Sequence, residues 1–136
     1  MSDERDALER GASARPMVLL VDDAPEYIRV LGDALGEDYR LKVANHGAKA
    51  LELAASASDP PDLILLDLLM PYLQGEDELR LLRMNSATEH IPVIVVTAMQ
   101  EAKQEEAKYR RLGVVEIVTK PFDLDKLVAV IKRTIG

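Results

Sequence analysis

Residues 62–71 read DLILLDLLMP, and the form of this stretch decides the fold. Four consecutive apolar residues, Leu63 to Leu66, stand between Asp62 and Asp67. A strand with one wet face alternates polar and apolar residues, so an uninterrupted apolar run of this length predicts a strand covered on both faces, as in a parallel sheet. The same form recurs on either side, as VLLVDD at 18–23 and VIVVTA at 93–98. Two weaker runs complete the set, and the predicted strands are Met17 to Asp22, Tyr39 to Ala44, Asp62 to Asp67, Ile91 to Thr97 and Val114 to Thr119. Longer stretches of helical period separate them, which gives five βα units and an α/β fold built on an open parallel sheet.

The helices carry their own punctuation. The first has Pro25 in its opening turn, Glu26 at the positive end of its dipole, an apolar stripe of Ile28, Leu31 and Leu35, and Gly36 as a left-handed stop. The second is expected from Gly47 to Ala57, ahead of the breaker Asp59-Pro60-Pro61. The third follows Gly75 and turns Leu79, Leu82 and Leu81 toward the sheet, while the fifth starts at the cap Asp123 and buries Leu124, Leu127, Val128, Ile131 and Ile135. The fourth, Glu101 to Leu112, has only Ala102, Ala107, Tyr109 and Leu112 as apolar positions among many charges, and is expected to be loosely held.

A chain of 136 residues fits one domain, taken as 17–136, behind a flexible N-terminal tail at 1–16. That tail lacks the basic start and apolar stretch of a secretory signal, and no apolar run approaches the roughly 20 residues that cross a bilayer, so a cytoplasmic protein with no membrane contact is expected. The lack of cysteine excludes disulfides, thiol catalysis and cysteine-ligated metal. A net charge of −7 repels phosphate backbones, and four tyrosines with one phenylalanine leave little for base stacking, which argues against direct nucleic-acid binding.

In an open parallel sheet ligands gather at the carboxyl ends of the strands. Asp22 and Asp23 end the first predicted strand, Asp67 the third and Thr97 the fourth, and Lys120 follows the fifth. Carboxylates in one crevice repel one another unless a divalent cation sits between them. Oxygen donors without cysteine or a histidine pair favour Mg²⁺, Mn²⁺ or Ca²⁺ over zinc. Mg²⁺ binds through one or two carboxylates together with a substrate phosphate, so the natural ligand is a phosphoryl group, for which Lys120 supplies a point charge and Thr97 a hydroxyl. Each residue alone reads as a cap, a loop or a β-branched strand residue; the convergence of five is what points to chemistry. His46 and His90 fall in loops and are expected to be solvated.

The segments VLLVDD, LILLDLLMP with Gly75 downstream, VIVVTA and VTKPF, in this order and spacing, resemble the receiver domain of two-component response regulators across Met17 to Gly136. The resemblance implies a doubly wound, five-stranded parallel sheet of flavodoxin-like order 2-1-3-4-5 with five helices. It implies that Asp67 accepts a phosphoryl group from a phosphohistidine of a sensor histidine kinase or histidine phosphotransfer protein. By the same resemblance Asp22, Asp23, Asp67 and the backbone carbonyl of Leu69 hold Mg²⁺, with Mn²⁺ as substitute, while Thr97 and Lys120 hold the phosphoryl oxygens. Small Ala98 would leave the phosphorus open to attack. Such a domain is a switch of protein contacts rather than a turnover enzyme.

One departure concerns the output. Three residues before Lys120 the family often carries an aromatic side chain whose rotamer reports phosphorylation, and here Ile117 stands there. Coupling is then expected to run through Thr97 and the fourth helix, with Tyr109 read as a packing residue. A phosphatase of the haloacid dehalogenase type would need an aspartate two residues after the nucleophile, where this chain has Leu69. A purely constitutive binding module fits poorly with the retention of all five site residues. The downstream target and homodimer formation stay open, as does the choice between a stand-alone regulator, a phosphorelay carrier and a piece of a longer protein.

Overall fold

The computed structural model describes residues 15–70 and 73–136. In chain order the elements are β1 (Met17–Val21), α1 (Pro25–Leu35), β2 (Arg40–Ala44), α2 (Gly47–Ala54), β3 (Leu63–Leu66), β4 (Leu69–Met70), β5 (Leu73–Gln74) and α3 (Gly75–Met84). There follow β6 (Val93–Thr97), a 3₁₀ helix (Gln100–Glu105), α4 (Glu106–Arg111), β7 (Val114–Thr119) and α5 (Leu124–Ile135). Five strands form one parallel sheet in the order β2-β1-β3-β6-β7, which is the expected 2-1-3-4-5 order once the short antiparallel pair β4-β5 is set aside. The expected tail falls on residues 1–14, which lie outside the described residues, and on Arg15 and Pro16. Arg15 donates to the carbonyls of Gly36 and Glu37, and the Pro16 carbonyl accepts from the Arg40 amide at 2.8 Å.

The continuous apolar runs have the predicted consequence, because alternate side chains of one strand enter opposite layers. Leu19, Val21, Ile64, Leu66, Val93 and Val95 join the layer that holds Ala50 and Ala54 of α2 and Leu79 and Leu82 of α3. Val18, Leu20, Leu63, Leu65, Ile94 and Val96 pack with Leu31 and Leu35 of α1 and Leu127 and Ile131 of α5. Every residue of β1, β3 and β6 is buried.

Several local expectations need correction. Gly36 is right-handed, with φ −63°, and its helix passes into further turns in which the amides of Asp38 and Tyr39 donate to the Leu35 carbonyl. Glycine is favoured there by close approach, since a Cβ would lie 2.8 Å from the Gly32 carbonyl oxygen. Helix α2 stops at Ala54 rather than Ala57, and Leu81 points outward at 42% exposure while Leu79 and Leu82 are buried. The single fourth helix is split into a 3₁₀ segment and a short α-helix, because its first half buries only Ala102 and its start at Met99 has no capping side chain. Ala107 is exposed. His46 is exposed but not merely solvated, since its Nδ1 accepts from the Lys49 amide at 3.2 Å and caps α2.

Candidate phosphoacceptor site

The carboxyl ends of β1, β3, β6 and β7 converge on one crevice. Backbone hydrogen bonds fix the depth of each residue in it: the Asp22 amide donates to the Ala44 carbonyl at 3.1 Å, the Asp67 amide to Val21 at 2.9 Å, and the Lys120 amide to Thr97 at 2.7 Å. Asp22 and Asp67 are each 6% exposed, and Asp23 is open to solvent. One carboxylate oxygen from each of Asp22, Asp23 and Asp67 lies within 4.8 Å of the others.

Lys120 reaches across the crevice, donating from Nζ to Asp22 Oδ2 at 2.6 Å and to Asp67 Oδ2 at 3.1 Å. Burial works against its charge, but the hydrogen bonds and attraction of the two aspartates outweigh it and hold the ammonium above the usual lysine value. The remaining oxygens face backbone amides: Asp22 Oδ1 accepts from Ala24 and Asp67 Oδ1 from Leu69, both at 2.9 Å. Thr97 is fully buried, and its hydroxyl oxygen accepts from the Met99 amide at 3.2 Å. Three carboxylates against one ammonium leave two negative charges in the crevice, which suits a divalent cation.

The chain behind Asp67 turns sharply. Gly75 opens α3 so close to Leu68 that a Cβ would sit 2.4 Å from Leu68 Cδ2 and 2.6 Å from its Cα, so no larger residue fits. A cleft of about 560 Å³ lies beside the site, lined by Leu68, Leu69, Met70, Gly75, Glu76, Met99 and Tyr109. Ile117 is buried in the apolar layer between sheet and helices, at 4% exposure.

The sequence of this chain matches the response regulator receiver domain over residues 18–132. The chain belongs to the receiver domain family. It is 38% identical over 110 residues to a probable cyclic di-GMP phosphodiesterase of Vibrio cholerae, covering 81% of this chain and 24% of that protein. It is 37% identical over 124 residues to the sensor histidine kinase TmoS of Ectopseudomonas mendocina, covering 91% of this chain and 12% of that protein. Among solved structures it resembles the Mn²⁺-bound form of the response regulator Rcp1, with a TM-score of 0.69, 27% identity, and coverage of 87% and 90% of the two chains. The chain therefore spans a quarter or less of the length of these two sequence relatives. As a receiver domain it serves phosphorelay signalling, and no helix among the described residues is long and apolar enough to cross a membrane.

Two features of the structure escaped the sequence, one at the site and one in α3. The Lys120 ammonium stands over the ring of Tyr27, 3.9 Å from its centroid, and that ring in turn meets Phe122 at 5.6 Å with a 37° tilt. Glu78 of α3 is 1% exposed, and neither of its carboxylate oxygens has a hydrogen-bond partner. Burial pushes this carboxyl up to about 7.

Proposed function

We propose that the domain, residues 17–136, accepts a phosphoryl group on Asp67 from a phosphohistidine of a sensor histidine kinase or histidine phosphotransfer protein, and that this switches its protein contacts. The observation that carries the reading is the Asp67 carboxylate at the end of a central strand, with Lys120 Nζ at 3.1 Å and two further carboxylates within 4.8 Å. An Asp67 oxygen attacks phosphorus in line as the bond to the leaving imidazole breaks. Lys120, already between Asp22 and Asp67, faces the charge that builds on the phosphoryl oxygens.

Asp22, Asp23, Asp67 and the Leu69 carbonyl would hold Mg²⁺, or Mn²⁺ in its place. A bound ion of this kind supplies positive charge against the phosphoryl oxygens. The Leu69 amide already donates to Asp67 Oδ1, which orients the acceptor carboxylate without consuming the carbonyl.

For output, the Thr97 hydroxyl turns from the Met99 amide toward the new phosphoryl group and draws on the loop that starts at Ala98. The segment beyond it, the 3₁₀ helix and α4, buries only Ala102 and Tyr109. One ion pair ties it to α3, Lys108 with Glu76 at 3.0 Å, and a second braces it internally, Lys108 with Glu105 at 3.1 Å. Ile117 stays in the core and takes no part in an aromatic swing.

The decisive experiment is labelling by acetyl phosphate with Mg²⁺, read by intact mass. Wild type gains one phosphoryl group and Asp67→Asn gains none, because the amide is no nucleophile for this step. Equal labelling of the two proteins would remove Asp67 from the role.

A further inference from the structure

Lys120 has a third partner that neither the resemblance nor the charge count supplies. A lysine ammonium has three N–H donors. Two are directed at Asp22 Oδ2 and Asp67 Oδ2, and the face of Tyr27 lies 3.9 Å from the nitrogen, well inside the ~6 Å reach of a cation–π contact. The ring is held from two sides. Tyr27 sits in the first turn of α1, its amide donating to the Ala24 carbonyl at 3.2 Å, and its ring packs on Phe122, two residues beyond the lysine itself.

We propose that Tyr27 is a positioning residue for phosphoryl transfer, its ring face holding the Lys120 ammonium over Asp67 while the two aspartates change partners. The inference rests on the proposed function. In that reaction Asp67 becomes an acyl phosphate, and Asp22 would share its oxygens with a bound cation, so both carboxylates would loosen their hold on Lys120. The ring alone keeps the same attraction throughout, because its face carries no formal charge and forms no bond in the transfer. It also adds no negative charge beside the incoming phosphoryl oxygens, which a third carboxylate would do. The face, not the hydroxyl, is the working part: among the described residues the Tyr27 hydroxyl makes no hydrogen bond.

The test compares Tyr27→Phe and Tyr27→Leu by the initial rate of acetyl phosphate labelling at saturating Mg²⁺, with the Lys120 ε-methylene protons followed by NMR. Loss of the ring should slow the maximal rate about tenfold with little change in the acetyl phosphate concentration at half-maximum, while Phe stays within about twofold of wild type. In wild type and the Phe variant the methylene protons are shifted upfield by the ring current, and in the Leu variant the shift is gone. Full-rate labelling of Tyr27→Leu, an equal loss in Tyr27→Phe, or methylene protons without an upfield shift in wild type would each overturn the role. Should Tyr27→Leu fail to fold, Phe122→Leu loosens the ring while leaving Tyr27, Asp22 and Asp67 in place, and an unslowed rate there would overturn it too. A wild-type protein that takes no label on Asp67 would instead refute the proposed function on which the inference rests.

Discussion

Asp22 and Asp67 at the strand ends and Glu78 in α3 are all buried acids, at 6%, 6% and 1% exposure, yet they meet opposite fates. Each aspartate oxygen has a donor: Lys120, or the amides of Ala24 and Leu69. Glu78 has none, and its carboxyl is pushed up to about 7. Glu78 lies in the first turn of α3, where the helix dipole favours a negative charge, but that help is worth about 0.3–1 kcal/mol and desolvation of an unpaired carboxylate costs several times more. Burial alone therefore decides little; what separates the two environments is the presence or absence of a donor.

The largest expected effect comes from turning the first case into the second. Lys120→Met leaves two buried carboxylates without their shared cation, and breaking a buried pair by removing one partner typically costs about 3–5 kcal/mol. Chemical denaturation at neutral pH without divalent cation should show a loss near the lower figure, about 3 kcal/mol, since exposed Asp23 leaves that end of the cluster wet. An unchanged midpoint would mean that the paired acids gain nothing from Lys120, and the comparison would fail at its first term.

Turning Glu78 into an apolar residue should act with the opposite sign and a definite pH dependence. The folded value is raised from 4.5 to about 7, so the native state binds more protons than the unfolded chain between these limits, and stability is full below about pH 4.5 and lost as pH rises through about 7. Glu78→Leu removes that loss. Its advantage over wild type should be small at pH 4.5 and grow to about 3 kcal/mol by pH 8, from roughly 1.36 kcal/mol per unit. Denaturation midpoints across this range check it, and a pH-independent difference would show that the carboxyl is hydrated or paired in solution.

How much of this could be read in advance follows from the same contrast. The strand ends were legible because each apolar run stops on a polar residue, and the parallel topology brings such stops together. The order of the sheet came from resemblance. Glu78 was hidden inside GEDELRLLR, which reads as an acid-rich first turn. Its spacing held a clue: positions 75, 78, 79 and 82 form one i, i+3, i+4, i+7 face, and all four are buried. Tyr27 could not be found from spacing, because only the fold carries Lys120 across from β7 to the first turn of α1. The split of the fourth helix was foreshadowed by its thin apolar stripe, although nothing in the residues specified a 3₁₀ segment.

The smallest effect separates the two kinds of buried acid by ligand. A divalent cation that binds among Asp22, Asp23 and Asp67 stabilises the native state by RT ln(1 + [L]/Kd), about 1.4 kcal/mol at ten times Kd, which for a domain of this size raises Tm by roughly 5 °C. Asp23→Ala should reduce that rise, because it removes one of the three carboxylates while leaving the Lys120 hydrogen bonds in place. Glu78→Leu should leave it whole, since Glu78 shares no hydrogen-bond partner with the cluster and independent sites contribute additively. Thermal melts of the three proteins with and without Mg²⁺ are sufficient. A full response in Asp23→Ala would move the cation away from the strand ends, and a lost response in Glu78→Leu would join the two regions into one electrostatic unit, undoing the contrast between a paired and an unpaired buried acid.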